Sequence, residues 1–328
     1  MLFKVLPRLT KPLLVVSVAW MCSSHVRAQE ANAPATEVAQ VRAGVAALGR
    51  QWNEEVGAQT ARLYAGIQRQ HSLSGIREIR NANFGPNRRQ KLDLYFPDQG
   101  FDALGPVFVF LHGDAEAASE RIGGQAAGAL YANAARSLAR FGGVGINANY
   151  RQSPNAKWPS GADDVREIVA WVRRNVAQYG GDPASIVVLG TGEGAMHLAT
   201  YLFRQASQPE DGPEIAAAIL GSGTFDPEGD RYGLGRYFGS KDAAYRPLNL
   251  IDTYQGKAVP ILMWSAQYDP VESGVTELRD KLCQKYGACP MFVQLAGHNH
   301  VSPVMSIDSL DVSVAAVIVQ FYHTAVRK

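Results

Sequence analysis

Apolar positions divide the chain into stretches with a helical period and shorter runs of a strand's length. From Ala39 to Gln70, Val41, Val45, Leu48, Trp52, Val56, Leu63 and Ile67 recur at mostly helical intervals among polar residues. This predicts an amphipathic helical extension, whose apolar stripe could pack on the main domain, meet a second copy or cover a pocket. From Ile76 the pattern changes to β-like runs: Ile76 to Ile79, Lys91 to Phe96, then Val107-Phe108-Val109-Phe110-Leu111, wholly apolar like a central strand buried on both faces. A helix over Ala126 to Arg140, a strand over Val144 to Tyr150, a helix over Asp163 to Gln178 and a strand over Ser185 to Leu189 follow. Ala216 to Leu220, Pro260 to Trp264 and Met291 to Leu295 are further strands, and Ser309 to Val326 is a closing helix. Such alternation predicts an α/β fold, a mostly parallel central sheet with helices on both faces. Residues 223–259 are rich in Gly, Tyr, Arg and Asp without a period and too long for an ordinary connection, so they are expected to form a cap or lid.

Residues 1–28 read differently. Lys4, Arg8 and Lys11 precede the apolar run from Leu13 to Met21, and Val26-Arg27-Ala28 offers a cleavage site, which is the layout of an export signal. The run is shorter than the roughly 20 apolar residues a membrane span needs. The expected division is therefore a signal at 1–28, a helical extension at 29–75 and one main domain at 76–328, in the periplasm or outside the cell. Export removes four of the 32 basic residues and none of the 30 acidic ones, turning a net charge of +2 into −2. No stretch concentrates basic and aromatic residues, so nucleic acid is not an expected partner. Nor is stable membrane insertion expected after cleavage. Cys283 and Cys289 are then the two remaining cysteines, separated by a segment with Gly287 to turn on, and a structural disulfide between them is expected in an oxidising compartment.

Three constellations follow predicted strands, where an open α/β sheet has its ligand crevice. Leu111-His112-Gly113-Asp114-Ala115 follows the apolar strand. Gly190-Thr191-Gly192-Glu193-Gly194-Ala195 follows Ile186 to Leu189 and opens a helix. Asp269-Pro270 and Gly297-His298-Asn299-His300 follow the last two strands. With Asn149-Tyr150-Arg151, Trp158-Pro159, Asp164, Trp171-Val172 and Gly180-Gly181-Asp182-Pro183 ahead of the glycine-rich turn, the chain resembles the α/β-hydrolase superfamily. The branch is that of carboxylesterases and feruloyl-esterase-like proteins related to the hormone-sensitive-lipase type, and the resemblance runs from Ile76 to the C-terminus.

That family carries a Gly-x-Ser-x-Gly elbow whose serine is activated by a histidine that an acid orients. The resemblance implies Asp269 as the acid, His300 as the base, and Gly113, Asp114, Ala115 and Glu193 as the oxyanion region. Gly190 and Gly194 match the flanking glycines, and the nucleophile position falls on Gly192, so the serine is absent. Covalent acyl transfer needs an oxygen or sulfur nucleophile, and glycine offers none. Thr191 is a substitute only if the turn shifts by one residue, and Ser222 follows a different strand. Asp114 and Glu193 put carboxylates where an oxyanion would need donors, unless they face solvent or pair with Arg121 or Arg151.

Three functions stay open at this stage. One is an exported carboxylesterase-type protein that binds an ester-like or aromatic small molecule with serine-esterase activity lost. Another is a hydrolase using water activated by His300 and Asp269, or Glu193 as an acid/base. The third is an interaction protein assembling through the helical extension, possible as a homo-oligomer. No cofactor is expected, and His298, His300 and Asp269 are a weak metal set.

Overall fold

Alternate residues of the central strands serve two separate cores. Val107, Val109, Leu111, Ile186, Val188, Ala218, Leu220 and Met263 face one side, whereas Phe110, Val187, Leu189, Ala217, Ile219, Leu262 and Trp264 face the other. A strand covered on both faces has no solvent side, which is why these runs are apolar at consecutive positions rather than alternating.

The computed structural model describes residues 35–68, 73–113, 125–223, 225, 235–238, 247–256, 258–270 and 272–326. The expected export signal, Asp114, Ala115, Arg121 and much of the expected cap lie outside them. The described residues contain strands β1 (Ile76–Asn83), β2 (Lys91–Pro97), β3 (Gly105–Leu111), β4 (Val144–Ala148), β5 (Gly181–Thr191), β6 (Ala217–Gly221), β7 (Ile261–Tyr268) and β8 (Met291–Asn299). They form one sheet in the order β1-β2-β4-β3-β5-β6-β7-β8. The first two strands run antiparallel, β2 pairs antiparallel with β4, and every later pairing is parallel.

Helices α1 (35–48) and α2 (Glu54–Ala65) precede the sheet. They are followed by α3 (Gln125–Arg140), α4 (Ser160–Asn175), α5 (Glu193–Phe203), α6 (Gly235–Phe238), α7 (Pro247–Thr253), α8 (Glu272–Tyr286), α9 (Ser302–Ser306) and α10 (Ser313–Ala325). Side chains of α4, α5 and α8 close the first core, and those of α9 and α10 close the second. Each Val, Leu or Ile buried in these layers contributes about 1.5–3 kcal/mol.

The single helix expected over Ala39 to Gln70 is two helices. Gly49 takes φ 70°, which ends α1, and Asn53 begins α2 by accepting a hydrogen bond from the Val56 N–H at 2.9 Å. The apolar stripe turns back across this break: Val41, Val45, Tyr64 and Ile67 share one cluster with Val301 and Met305, so the arm packs on the main domain. The closing helix is also shorter than expected, because Ser309 pairs with Gln68 in a β-bridge and Asp311 accepts from the Ser313 N–H at 3.2 Å. The pattern did not announce α8, whose weak apolar periodicity buries Val275, Leu278 and Leu282. It carries Cys283, joined to Cys289 by a disulfide across the turn at Gly287, φ 66°.

Candidate active site

The chain visits β4 before returning past β3 to β5, so β3 and β5 lie side by side and their carboxyl ends form the crevice of the sheet. The turn between β5 and α5 sits there. Gly192 is its apex, with φ 52° and ψ −121°, a region that side chains enter only under strain. Its N–H donates to the Gly221 carbonyl at 3.1 Å, and its carbonyl accepts from Met196 N–H at 3.2 Å as α5 begins.

The neighbouring glycines are dictated by close backbone approach. A Cβ on Gly190 would lie 2.5 Å from the Gly194 carbonyl oxygen, and one on Gly194 would lie 2.3 Å from that of Leu111. A Cβ on Gly113 would stand 3.1 Å from Thr191 O and 3.5 Å from Gly192 Cα, so the loop after β3 rests directly against the elbow. His112 enters that loop buried, its ring stacked on Tyr150 at 4.6 Å and 14°, while the Tyr150 hydroxyl donates to the His112 carbonyl at 2.7 Å.

At the ends of β7 and β8, Asp269 and His300 meet. The fully buried carboxylate accepts from Nδ1 of the imidazole at 3.1 Å, and the histidine side chain is only 9% exposed. With Nδ1 turned toward the carboxylate, Nε2 is the nitrogen through which this ring can take a proton.

The chain is similar to known proteins. The family described as BD-FAE matches residues 92–210, which include the elbow and the segment ahead of it. Esterase LipQ of Mycobacterium tuberculosis is 38% identical over 81 residues, 25% of this chain and 19% of that protein. The probable carboxylic ester hydrolase LipM of the same organism is 28% identical over 188 residues, 53% of this chain and 41% of that one. The chain thus spans less than half the length of these curated relatives. Esterase B of Lactobacillus rhamnosis superposes with a TM-score of 0.66 over 90% of this chain and 96% of its own, at 14% identity, a likeness of fold. The chain has the α/β-hydrolase fold, and over residues 92–210 it is similar to the BD-FAE family.

Buried polar contacts around the elbow build this crevice. Asp164, fully buried, accepts from Arg151 N–H at 2.6 Å, Arg151 Nε at 2.8 Å and Gln90 Nε2 at 2.8 Å, tying the loop after β4 to α4. Arg151 is therefore spent on Asp164. Glu193 neither faces solvent nor pairs with Arg151. It turns along its own helix to His197, Oε1 to Nε2 3.3 Å, with its side chain 11% exposed. His197 is buried between Tyr150 and Tyr237, ring centroids 4.7 Å and 5.1 Å away, and its Nδ1 lies 3.4 Å from the Tyr237 hydroxyl. Tyr237 belongs to α6, so the expected cap reaches the elbow through this histidine. Asp114 and Ala115 lie outside the described residues.

Thr191 is the last residue of β5 and buried, and Gly192 rather than Thr191 holds the apex conformation. Ser222 is buried with φ 47°, and its N–H donates to Trp264 O at 3.0 Å. His298 is separate from the His300 pair. It is bonded to Ser302 Oγ through Nδ1 at 3.0 Å and to Ser313 Oγ through Nε2 at 3.1 Å, and burial lowers its imidazole to about 4. Asp311 lies 3.7 Å from it and receives Arg42 through two nitrogens, at 2.8 and 3.1 Å. Burial works to raise the Asp311 carboxyl, but the hydrogen bonds from Arg42 and Ser313 more than offset this and hold it below its ordinary value. Burial and then the Asp311 charge push the Tyr64 phenol well above its usual range.

Among the described residues, no group of three or more His, Cys, Asp or Glu side chains could hold a metal ion, and no helix is long and apolar enough to cross a membrane. An apolar groove of about 910 Å³ is lined by Phe108, Leu138, Phe141, Ile318 and Tyr322, and its lining includes neither Gly192, Asp269 nor His300.

His197, Tyr237, Arg50 and Trp52 join the site without having been read as part of it. His197 carried a signal, since it stands four residues after Glu193 on one helix face. Trp52 carried none, because its spacing fits the apolar stripe of the arm.

Proposed function

We propose that this chain is an exported α/β-hydrolase-fold protein of the carboxylesterase type that binds an ester-like or aromatic small molecule and has lost covalent serine-esterase chemistry. The observation that carries this reading is Gly192: it holds the apex of the elbow at φ 52°, ψ −121°, where no atom is available to attack a carbonyl. The Asp269–His300 hydrogen bond is present at the carboxyl ends of β7 and β8, so the base is oriented while the usual source of its proton is missing. Export is supported by the basic and apolar pattern of residues 1–28 and by the Cys283–Cys289 disulfide, which fits an oxidising compartment.

A fluorophosphonate probe, which reacts with activated serines, tests the reading. The natural protein is expected to remain unlabelled and Gly192→Ser to gain label. Labelling of any side chain of the natural protein would overturn it.

The persistence of the acid–histidine bond favours one second reading, in which His300 Nε2 takes a proton from water as the oxygen attacks an activated ester, and the proton passes to the departing alkoxide. Turnover of an ester and lactone panel that is abolished by His300→Ala would select it over binding alone.

A further inference from the structure

We infer that Trp52 is a positioning residue for His300, and that the helical arm formed by α1 and α2 completes the site. The indole and the imidazole lie with ring centroids 5.0 Å apart at 42°, inside the range of a direct aromatic contact. The contact comes from the break between the two arm helices.

The arm touches the acid–histidine pair at two points and its neighbours at two more. Arg50 donates through Nη2 to the backbone carbonyl of Asp269 at 3.1 Å, holding the residue that pairs with His300. Trp52 covers the imidazole itself. Thr60 Oγ1 accepts from the Asn299 side-chain amide at 2.8 Å, holding the residue before His300. Arg42 and Tyr64 close the row on Asp311, at 2.8 and 3.3 Å. The indole is set from behind by Gly57, where a Cβ would lie 3.1 Å from the outer edge of the Trp52 ring, so glycine lets it lie flat on α2. Asn53, immediately after Trp52, caps the same helix.

A histidine held by one hydrogen bond to a carboxylate can still tilt about that bond. A second ring packed against the first restricts the tilt, excludes water from that side, and stabilises the imidazolium through the indole's π system. All three effects favour a base that must point Nε2 in one direction and carry a proton briefly. They hold whether the crevice binds, hydrolyses or does neither, so the inference stands apart from the function proposed above. Asp269 and Arg50 carry charge at the pair, and neither is altered by a change at Trp52.

The experiment follows the His300 ring resonances of the full chain by NMR across pH, assigned through their loss in His300→Gln. Trp52→Leu keeps apolar bulk without the π face and is expected to lower the His300 midpoint by about half a pH unit, the size of a partly exposed cation–π contact. Trp52→Phe is expected to restore it. Equal midpoints in all three proteins, or the same displacement in both variants, would overturn the inference. In the natural protein the Trp52 indole N–H signal, assigned through Trp52→Phe, is expected to move with the His300 midpoint. An indole signal that ignores that midpoint would overturn it too, even if Trp52→Leu did not fold.

Discussion

Glu193 and His197 lie one helical turn apart on α5 and meet at 3.3 Å, so the carboxylate that follows the elbow is turned under it, toward the buried rings of Tyr150 and Tyr237. A helix N-terminus favours a carboxylate in its first turn, and the i, i+4 spacing delivers the histidine to it. The acid thereby sits beside the aromatic layer that Tyr237 of the expected cap joins.

That layer leaves no room at Gly161. A Cβ there would stand 2.3–2.4 Å from three atoms of the His197 ring, and the ring is 1% exposed. Gly161→Ala is expected to cost about 1–3 kcal/mol by overpacking. In His197→Ala the same substitution should cost clearly less, giving a non-additive pair. Urea unfolding of the two single variants and the double variant measures this, and additive costs would refute the contact.

The elbow angles set a second expectation. Serine or alanine at Gly192 must adopt φ 52°, ψ −121°, at a cost of about 1–3 kcal/mol. Gly192→Ser and Gly192→Ala should therefore melt below the natural protein by similar margins, while only the serine variant takes up fluorophosphonate. A serine variant as stable as the natural protein would mean that the turn had relaxed away from this conformation.

Acid should loosen the joint between arm and domain. His298 falls from 6.5 to about 4 because it is buried, so the unfolded chain takes up this proton first as pH drops. Stability is therefore lost between about pH 6.5 and 4, with a slope of up to ~1.4 kcal/mol per pH unit. Asp311, held below its ordinary value, adds to the loss at still lower pH by the same sign. Thermal unfolding followed from pH 7 to 4 should show the decline, and His298→Gln should flatten it. An unchanged slope in the variant would assign the decline to other groups.

Removing one side of the latch should hurt more than neutralising the other. Arg42→Ala leaves the Asp311 carboxylate, 2% exposed, without its charged partner and is expected to cost about 1–3 kcal/mol. Asp311→Asn leaves Arg42 able to reach water, since 31% of its side chain is exposed, and should cost less. Denaturant midpoints of the two variants, taken at pH 7, decide the order.

Much of this was legible from residue order. The run from Val107 to Leu111 announced a strand covered on both sides because apolar residues at consecutive positions leave no polar face. The glycines at 190 and 194 announced the elbow because backbone passes where a Cβ would stand. Cys283 and Cys289 announced their bond through a short spacing and a glycine to turn on. Asp269 and His300 were readable as partners through the resemblance, which supplied the order of elbow, acid and histidine.

The chain alone thus determined the alternation of helices and strands, the sheet buried on both faces, and a glycine at the apex of the turn, since each follows from local spacing and backbone sterics. Tertiary structure decided which side chains met across distance: Arg151 on Asp164 rather than Glu193, Arg42 on Asp311, and Trp52 on His300. A charged or aromatic residue carries its own chemistry in its identity but not its partner. The break at Gly49 turned a single expected helix into two and carried the indole onto a histidine 248 positions further along the chain. Spacing along the sequence has no information about such a meeting, because it is fixed only when the arm and the main domain bury their apolar faces together.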